Sequence, residues 1–171
     1  MFTTGLLLGA LLSVAVLWLL SGLFAPVPAV WREGVIVAAA VLAVLRDLGV
    51  LTVRLPQNAR QIPQDVLKRD LVRGTLQFGF EMGTGVRTYV SASAPYALVV
   101  AVLLAGGGWA PALAAGLGFG LGRALTPALR LASGAAEEWD ARLTVRLTAM
   151  KTVAAGAMAV AFAVLWAAGL S

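Results

Sequence analysis

The stretch FGFEMGTGVRTYVSASAPY, residues 78–96, interrupts one of the longest apolar segments of this chain. It places two charged residues, Glu81 and Arg87, among glycines and serines, and it ends on Pro95 and a tyrosine. Proline removes a backbone hydrogen-bond donor and clashes with the preceding helical turn, and glycine weakens a helix. The stretch therefore predicts a break in an otherwise apolar helix.

The segment that contains this stretch, residues 75–104, is too long for a simple membrane crossing. As one helix it would measure about 45 Å, whereas the hydrocarbon core of a bilayer is about 30 Å thick. We expect a transmembrane helix that is broken near Pro95. The alternative is that only residues 89–107 cross, and that residues 75–88 lie at the membrane surface.

The composition places the chain in a membrane. Its 171 residues are 60% hydrophobic and 12% charged, whereas soluble domains are roughly 45–50% apolar and about 25% charged. Too few charged residues are present to cover a water-facing surface. The composition predicts an all-α polytopic membrane helix bundle in which the lipid bilayer is the first partner.

Five apolar runs are long enough to cross the hydrocarbon core. They predict a single integral membrane domain, residues 1–171, with five transmembrane helices at about 5–24, 30–51, 75–104, 111–131 and 147–170. The first run resembles a secretory signal, but its start, MFTT, carries no positive charge. We therefore expect it to be a retained helix.

The loop charges predict the orientation in the cell membrane. The loop at 53–74 carries five Lys or Arg residues, and the link after the fourth run carries Arg142 and Arg146. Short loops rich in Lys and Arg stay on the cytoplasmic side. The other two connections contain Arg32 as their only positive residue. The pattern predicts a multi-pass protein with its N-terminus in the cytoplasm and its C-terminus on the opposite side.

The chain contains neither Cys nor His. Thiol chemistry, Ser-His-Asp triads, His-ligated haem and the usual zinc sites all need those side chains. This argues against an enzyme and leads us to expect no cofactor and no metal site. The net charge of +5 lies in the loops of a membrane protein, so we do not expect nucleic acid as a partner.

Two charges are expected to pair inside the membrane. Counted from Arg73, Glu81 lies about 9–12 Å deep, and Arg123, counted back from the end of the fourth run, lies at a similar depth. An unpaired charge at that depth costs several kcal/mol. We therefore predict that Glu81 and Arg123 form a buried ion pair.

A substrate-binding site for an anion is predicted at the break. Arg87 lies deeper than Glu81 and has no obvious acidic neighbour, and serines can cap a half-helix that begins near Pro95. The two tyrosines are seven residues apart and share a helix face. The predicted site consists of Arg87, Ser91, Ser93, Tyr89 and Tyr96. The alternative is that Arg87 reaches the headgroups or freed backbone carbonyls, and that both tyrosines serve packing.

Glycines recur at the four-residue spacing that lets helix backbones approach closely. The segments are GLLLG (5–9), GFEMG (79–83) and GFGLG (118–122). They fit either packing within one chain or an oligomer interface.

The order of features from residue 75 to 170 resembles a half-repeat of the CcdA/DsbD transmembrane family of the LysE-like superfamily. A Gly-rich half, the break at SASAPY, an apolar half, a short Gly turn and APALAAGLGFGLGRALTP follow one another as they do there. The resemblance implies a similar fold. Members of that family carry a Cys at the broken helix and pass reducing equivalents across the membrane. Ser93-Ala94-Pro95 stands at that place here, so their activity is not implied.

Two functions fit these features. The first is a non-catalytic integral membrane subunit or scaffold that packs with a larger membrane partner, with the cytoplasmic loop as the contact. The expected partner is a membrane protein or, in a homo-oligomer, a second copy of the chain. The second is a small transporter or permease-like protein with an anion site at the broken third helix. Five helices make a thin wall for a transport path, and an odd number does not divide into two inverted repeats. The sequence therefore favours the subunit. An exposed Gly-rich face would support it, and a water-filled cavity at Arg87 would support transport.

Overall fold

The computed structural model describes residues 1–55, 71–85 and 92–167, and within these ranges the chain is helical and has no β-strand. This confirms the predicted all-α class. The helices are α1 (Phe2–Ser21), α2 (Ala29–Asp47), α3 (Leu71–Gly83), α4 (Ala94–Leu104), α5 (Trp109–Ala132) and α6 (Ala136–Ala167). A 3-10 turn, Gly22–Phe24, extends α1.

Three of the described helical segments are long and apolar enough to cross a membrane: Phe2–Phe24, Trp109–Ala132 and Ala136–Ala167. The chain is thus compatible with a membrane protein. The apolar helix α4 has 11 residues, too few to span a bilayer alone. Helix α2 has 19 residues but carries charged residues near both ends. The predicted count of five transmembrane helices stays a prediction.

Pro95 lies in the first turn of α4, which begins at Ala94. In that position the missing N–H of proline would have no helical partner anyway, and its fixed φ angle suits a helix start. Helix α3 ends at Gly83. That α3 and α4 together form one broken transmembrane helix stays a prediction.

Two helices differ in extent from the apolar runs that were predicted to cross the membrane. Helix α6 begins at Ala136 and not at 147, so most of the predicted cytoplasmic link is helical. Glu137 and Glu138 in its first turn favour a helix start, because acidic side chains stabilise the positive end of the helix dipole. Helix α2 ends at Asp47 and not at 51, because Gly49 adopts a left-handed conformation with φ 81°.

The chain divides into two units. The first contains Met1–Val16, Pro56–Val90 and Trp109–Asp140, and the second contains Leu17–Leu55, Ser91–Gly108 and Ala141–Ser171. The expectation of a single domain stays a prediction. The predicted surface helix that starts near Pro63 lies outside the described residues.

In the first unit, α1 packs against α3 with the two backbones in contact. A Cβ atom on Gly5 or Gly9 of α1 would overlap the carbonyl oxygen of Leu76 or Phe80. Gly79 and Gly83 of α3 lie equally close to the backbone of α1. The segments GLLLG and GFEMG thus serve close packing within the chain.

Helix α5 also packs against α1 through a row of small residues. Its buried residues are Ala112, Gly116, Gly120 and Ala124, which we call the inner ridge. A Cβ atom on Gly116 or Gly120 would touch side chains of α1. The four-residue spacing places these small residues on one face of α5.

In the second unit, α2 and α4 run antiparallel. Arg32, near the start of α2, contacts the end of α4, and Asp47, the last residue of α2, contacts the start of α4. Between these ends lies a core of small side chains. It consists of Ala40, Ala43 and Ala97, packed against Met158, Ala159 and Phe162 of α6.

Candidate functional site

A buried carboxylate joins the end of α2 to the start of α4. Only 1% of the Asp47 side chain is exposed. The backbone N–H of Ser93 donates to both carboxylate oxygens, at 3.2 and 3.0 Å, and the Ser93 hydroxyl donates to Oδ1 at 2.6 Å. Ser93 is the N-cap residue of α4, and its hydroxyl makes no cap bond to its own helix. Asp47 therefore supplies the negative charge that a helix N-terminus favours.

Arg46 completes this cluster. Its Nη1 atom donates to Asp47 Oδ1 at 3.2 Å and to Ser93 Oγ at 2.9 Å, and its Nε atom donates to the carbonyl oxygen of Val53 at 2.9 Å. The guanidinium thereby balances the buried carboxylate and binds the segment that follows α2. We call Arg46, Asp47 and Ser93 the charged cluster.

The other end of α4 is held by a cation. The guanidinium of Arg32 donates to the carbonyl oxygen of Leu104 at 3.1 Å, where the helix dipole is negative. Gly106 makes room for it, because a Cβ atom there would overlap the guanidinium. The Trp18 indole donates to the carbonyl oxygen of Gly107 at 3.3 Å. Helix α2 thus places the Asp47 carboxylate at the start of α4 and the Arg32 guanidinium at its end.

A cavity of 230 Å³ opens beside the charged cluster. Arg46, Ser93 and Tyr96 are the polar residues of its lining, and the remaining lining residues are aliphatic. The surface that the lining exposes to the cavity is almost entirely apolar. Among the residues that the structure describes, no group of three or more acidic side chains could hold a metal ion.

The structure brings two of the five predicted anion-site residues together. Ser93 and Tyr96 both line the cavity. Arg87, Tyr89 and Ser91 lie outside the described residues, so their role as anion ligands stays a prediction. At Ser93 the acceptor that the structure supplies is the chain's own Asp47 carboxylate.

Sequence reasoning missed Arg46 and Asp47 as members of a site. Both were visible as a charged pair near the end of the second apolar run. Their position could have been used to predict the contact. When two consecutive apolar helices run antiparallel, the end of the first lies beside the start of the second, which here places Arg46 and Asp47 beside the SASAP stretch.

The predicted ion pair of Glu81 and Arg123 falls within the first unit. The Gln77 amide donates to Glu81 Oε1 at 3.0 Å, and the Arg123 guanidinium lies 5.6 Å from the centroid of the Phe119 ring. Both charged side chains thus have other contacts in the described structure. The pairing of the two charges stays a prediction.

If Glu81 and Arg123 pair, removing one should cost more than removing both, because a lone buried charge has no compensation. We expect Glu81→Gln and Arg123→Gln each to lower stability by about 3 kcal/mol or more, and the double variant to lose less than their sum. The measurement is the thermal midpoint of the purified protein in detergent. Additive losses would reject the pair.

No protein family, curated protein or solved structure matches this chain.

Proposed function

We propose that this protein is a non-catalytic integral membrane subunit that packs against a transmembrane helix of a larger partner. The observation that supports this most strongly is a second row of small residues on α5. It consists of Ala114, Gly118, Gly122 and Thr126, all exposed, and we call it the outer ridge. A Cβ atom added to Gly118 or Gly122 would meet nothing within 4 Å in the described structure.

Both ridges of α5 consist of residues with small side chains. Positions two residues apart lie about 200° apart around a helix, so the outer ridge faces away from the inner one. The inner ridge is covered by α1, whose residues Leu7, Ala10 and Val14 lie beside Gly116 and Gly120. We infer that the outer ridge is built to accept another helix in the same way.

In a membrane, a row of small residues indicates a helix–helix interface better than a row of large apolar residues does. Lipid tails are as apolar as leucine, so an exposed Leu face gains nothing by leaving lipid, whereas a row of small residues lets a second backbone approach. Leu117, Leu121 and Leu125 border the outer ridge and are 41%, 50% and 53% exposed. They would form one wall of a groove for the partner helix.

The proposal includes the finer topology: five crossings, a third helix broken near Pro95, and an N-terminus in the cytoplasm. It rests on the five apolar runs, on the basic segment 53–74 and on Arg142 and Arg146 in the first turns of α6. The fold similarity of residues 75–170 to a CcdA/DsbD half-repeat belongs to the same proposal.

A second candidate function is a small transporter with an anion site at the broken third helix. Ser93 and Tyr96, two of its predicted residues, line one cavity, but the surface of that cavity is almost entirely apolar. The outer ridge has no role in that function, and for this reason we rank it second.

Enlarging the outer ridge is expected to release the partner. A leucine at Gly118 or Gly122 fills the space that a helix backbone would occupy, and we expect at least about a tenfold loss of co-purified partner, since overpacking typically costs 1–3 kcal/mol. Gly156→Leu on α6 is the matched control, because a Cβ atom there also meets nothing within 4 Å. The measurement is affinity purification in mild detergent followed by quantitative mass spectrometry.

One protein that is retained by wild type and by Gly156→Leu, and lost from both ridge variants, would support the proposal. If the retained protein is a second copy of this chain, the partner is a homo-oligomer. Identical sets of co-purified proteins for all variants would contradict it.

A further inference from the structure

A positively charged side chain lies beside the outer ridge of α5. Phe119 and Arg123 follow Gly118 and Gly122 by one residue each, so they form a row about 100° further round the helix. This row borders the outer ridge on the side opposite to the leucines. Both side chains are half-buried, and the Arg123 guanidinium lies 5.6 Å from the centroid of the Phe119 ring. Arg123 therefore belongs to the second wall of the groove.

Arg123 lies well inside a helix that is long and apolar enough to cross a membrane. Its distance along the helix axis is about 21 Å from Trp109 and about 14 Å from Ala132, the two ends of α5. Long basic side chains reach the headgroups from positions near a helix end, whereas charges deeper in a membrane are normally paired within the protein. This depth is the same whichever end of α5 faces the cytoplasm.

The described part of the chain supplies no hydrogen-bond acceptor for this charge. No described residue accepts a hydrogen bond from the Arg123 guanidinium, and its contact with the Phe119 ring leaves five N–H donors. Thr126, which is exposed on the outer ridge, likewise donates its hydroxyl to no described residue. Residues three apart are neighbours on a helix surface. A guanidinium and a hydroxyl thus lie at one level of the groove.

A carboxylate is the group that these donors fit. It matches the guanidinium in charge and can accept from the guanidinium and the hydroxyl together. Within the chain, the predicted acid is Glu81, which accepts a hydrogen bond from Gln77 of its own helix. In the described structure, the three membrane-length helices carry acidic residues only in the first two turns of α6. Away from a helix end, these helices of a second copy therefore offer no carboxylate.

We propose that the partner helix on the outer ridge belongs to a different protein and carries an Asp or Glu side chain that binds Arg123 within the membrane. This inference rests on the proposed function, because the same groove holds the helix. The small residues let the two backbones approach. The ion pair selects the partner and fixes its register, because a helix without the acid would leave the guanidinium unpaired.

Coupling with dicyclohexylcarbodiimide in intact membranes tests the ion pair. Arg123→Lys keeps the positive charge and supplies an amine, which the reagent joins to a neighbouring carboxylate as an amide while the reagent leaves as its urea. We expect one adduct that wild type does not give, in which residue 123 is joined to an Asp or Glu in a transmembrane segment of another protein. Arg130→Lys is the control. The Arg130 guanidinium binds Asp140, so this variant should couple within the chain.

Co-purification in mild detergent measures how much the charge contributes. Arg123→Gln should lower the amount of retained partner at least about tenfold, because the partner's carboxylate would stay buried without its cation. Arg123→Lys should retain more partner than Arg123→Gln does. Arg130→Gln changes an exposed charge near the end of the same helix and should leave the amount unchanged. Helical content by circular dichroism and a single gel-filtration peak identify variants that fold.

Coupling of residue 123 to Glu81 of the same chain, or to an acid of a second copy, would overturn the proposal. So would the absence of any adduct beyond those of wild type. If Gly118→Leu releases a partner that Arg123→Gln retains, the outer ridge binds a helix without the acid, and this inference fails while the proposed function stands. If Arg123→Gln does not fold, the coupling of Arg123→Lys decides alone.

Discussion

Replacing Asp47 by alanine is expected to lower the free energy of unfolding by about 3–5 kcal/mol, because breaking a buried ion pair leaves an uncompensated charge. The carboxylate is 1% exposed and accepts bonds from the Ser93 backbone and hydroxyl and from Arg46. Its removal leaves the buried Ser93 N–H without an acceptor, which costs about 1–3 kcal/mol by itself. Denaturant titration in detergent micelles measures the effect.

Two further variants of the charged cluster serve as controls for Asp47→Ala. Ser93→Ala removes one hydroxyl and should cost about 1 kcal/mol, the net value of one hydrogen bond. The double variant Arg46→Met with Asp47→Leu should lose less than the sum of its single changes, because the two side chains interact directly. If Asp47→Ala costs less than Ser93→Ala, the carboxylate does not hold the start of α4, and our account of the second unit is wrong.

Gly9→Ala should destabilise the first unit by about 1–3 kcal/mol or more, because a methyl group placed against a rigid backbone forces the two helices apart. A Cβ atom at Gly9 would overlap the carbonyl oxygen of Phe80, and a Cβ atom at Gly83 would overlap that of Leu6. Gly9→Ala and Gly83→Ala should therefore each lower the thermal midpoint in detergent.

Gly118→Ala is the matched control for this prediction. It lies on the outer ridge, where an added Cβ atom meets nothing within 4 Å in the described structure. Alanine is also the better helix former by about 1 kcal/mol, so Gly118→Ala should leave the thermal midpoint unchanged or raise it. A similar loss at Gly9 and Gly118 would mean that α1 and α3 do not pack through their glycines.

The helical class could be predicted from the sequence because hydropathy and run length are local properties. Three of the five predicted runs correspond to helices that are long and apolar enough to cross a membrane. The start of α6 was not predicted, because only apolar runs were used to locate helices. Residues 136–146 are charged, so no apolar run reveals them, but they consist largely of good helix formers and contain neither Gly nor Pro.

The candidate site could be predicted only in part. Ser93 and Tyr96 were found because they flank Pro95, a local signal. Asp47 was not, because its partner Ser93 is 46 residues away in the sequence. Which carboxylate meets a helix start depends on how two helices align, and hydropathy alone does not fix that alignment. The same limit explains why GFGLG gave no indication that Gly118 and Gly122 face outward while Gly120 between them faces α1.

The proposed partner interface is tested most directly by cross-linking in intact membranes. The chain has no native cysteine, so single cysteines placed by Gly118→Cys, Gly122→Cys and Val160→Cys each report one position. Val160 is the control, since it lies on α6 and is 64% exposed. With a short photoactivatable thiol reagent, our account predicts one discrete adduct of the same mass from both ridge positions and none from Val160. Adducts from Val160 alone, or no protein adduct from either ridge position, would contradict it.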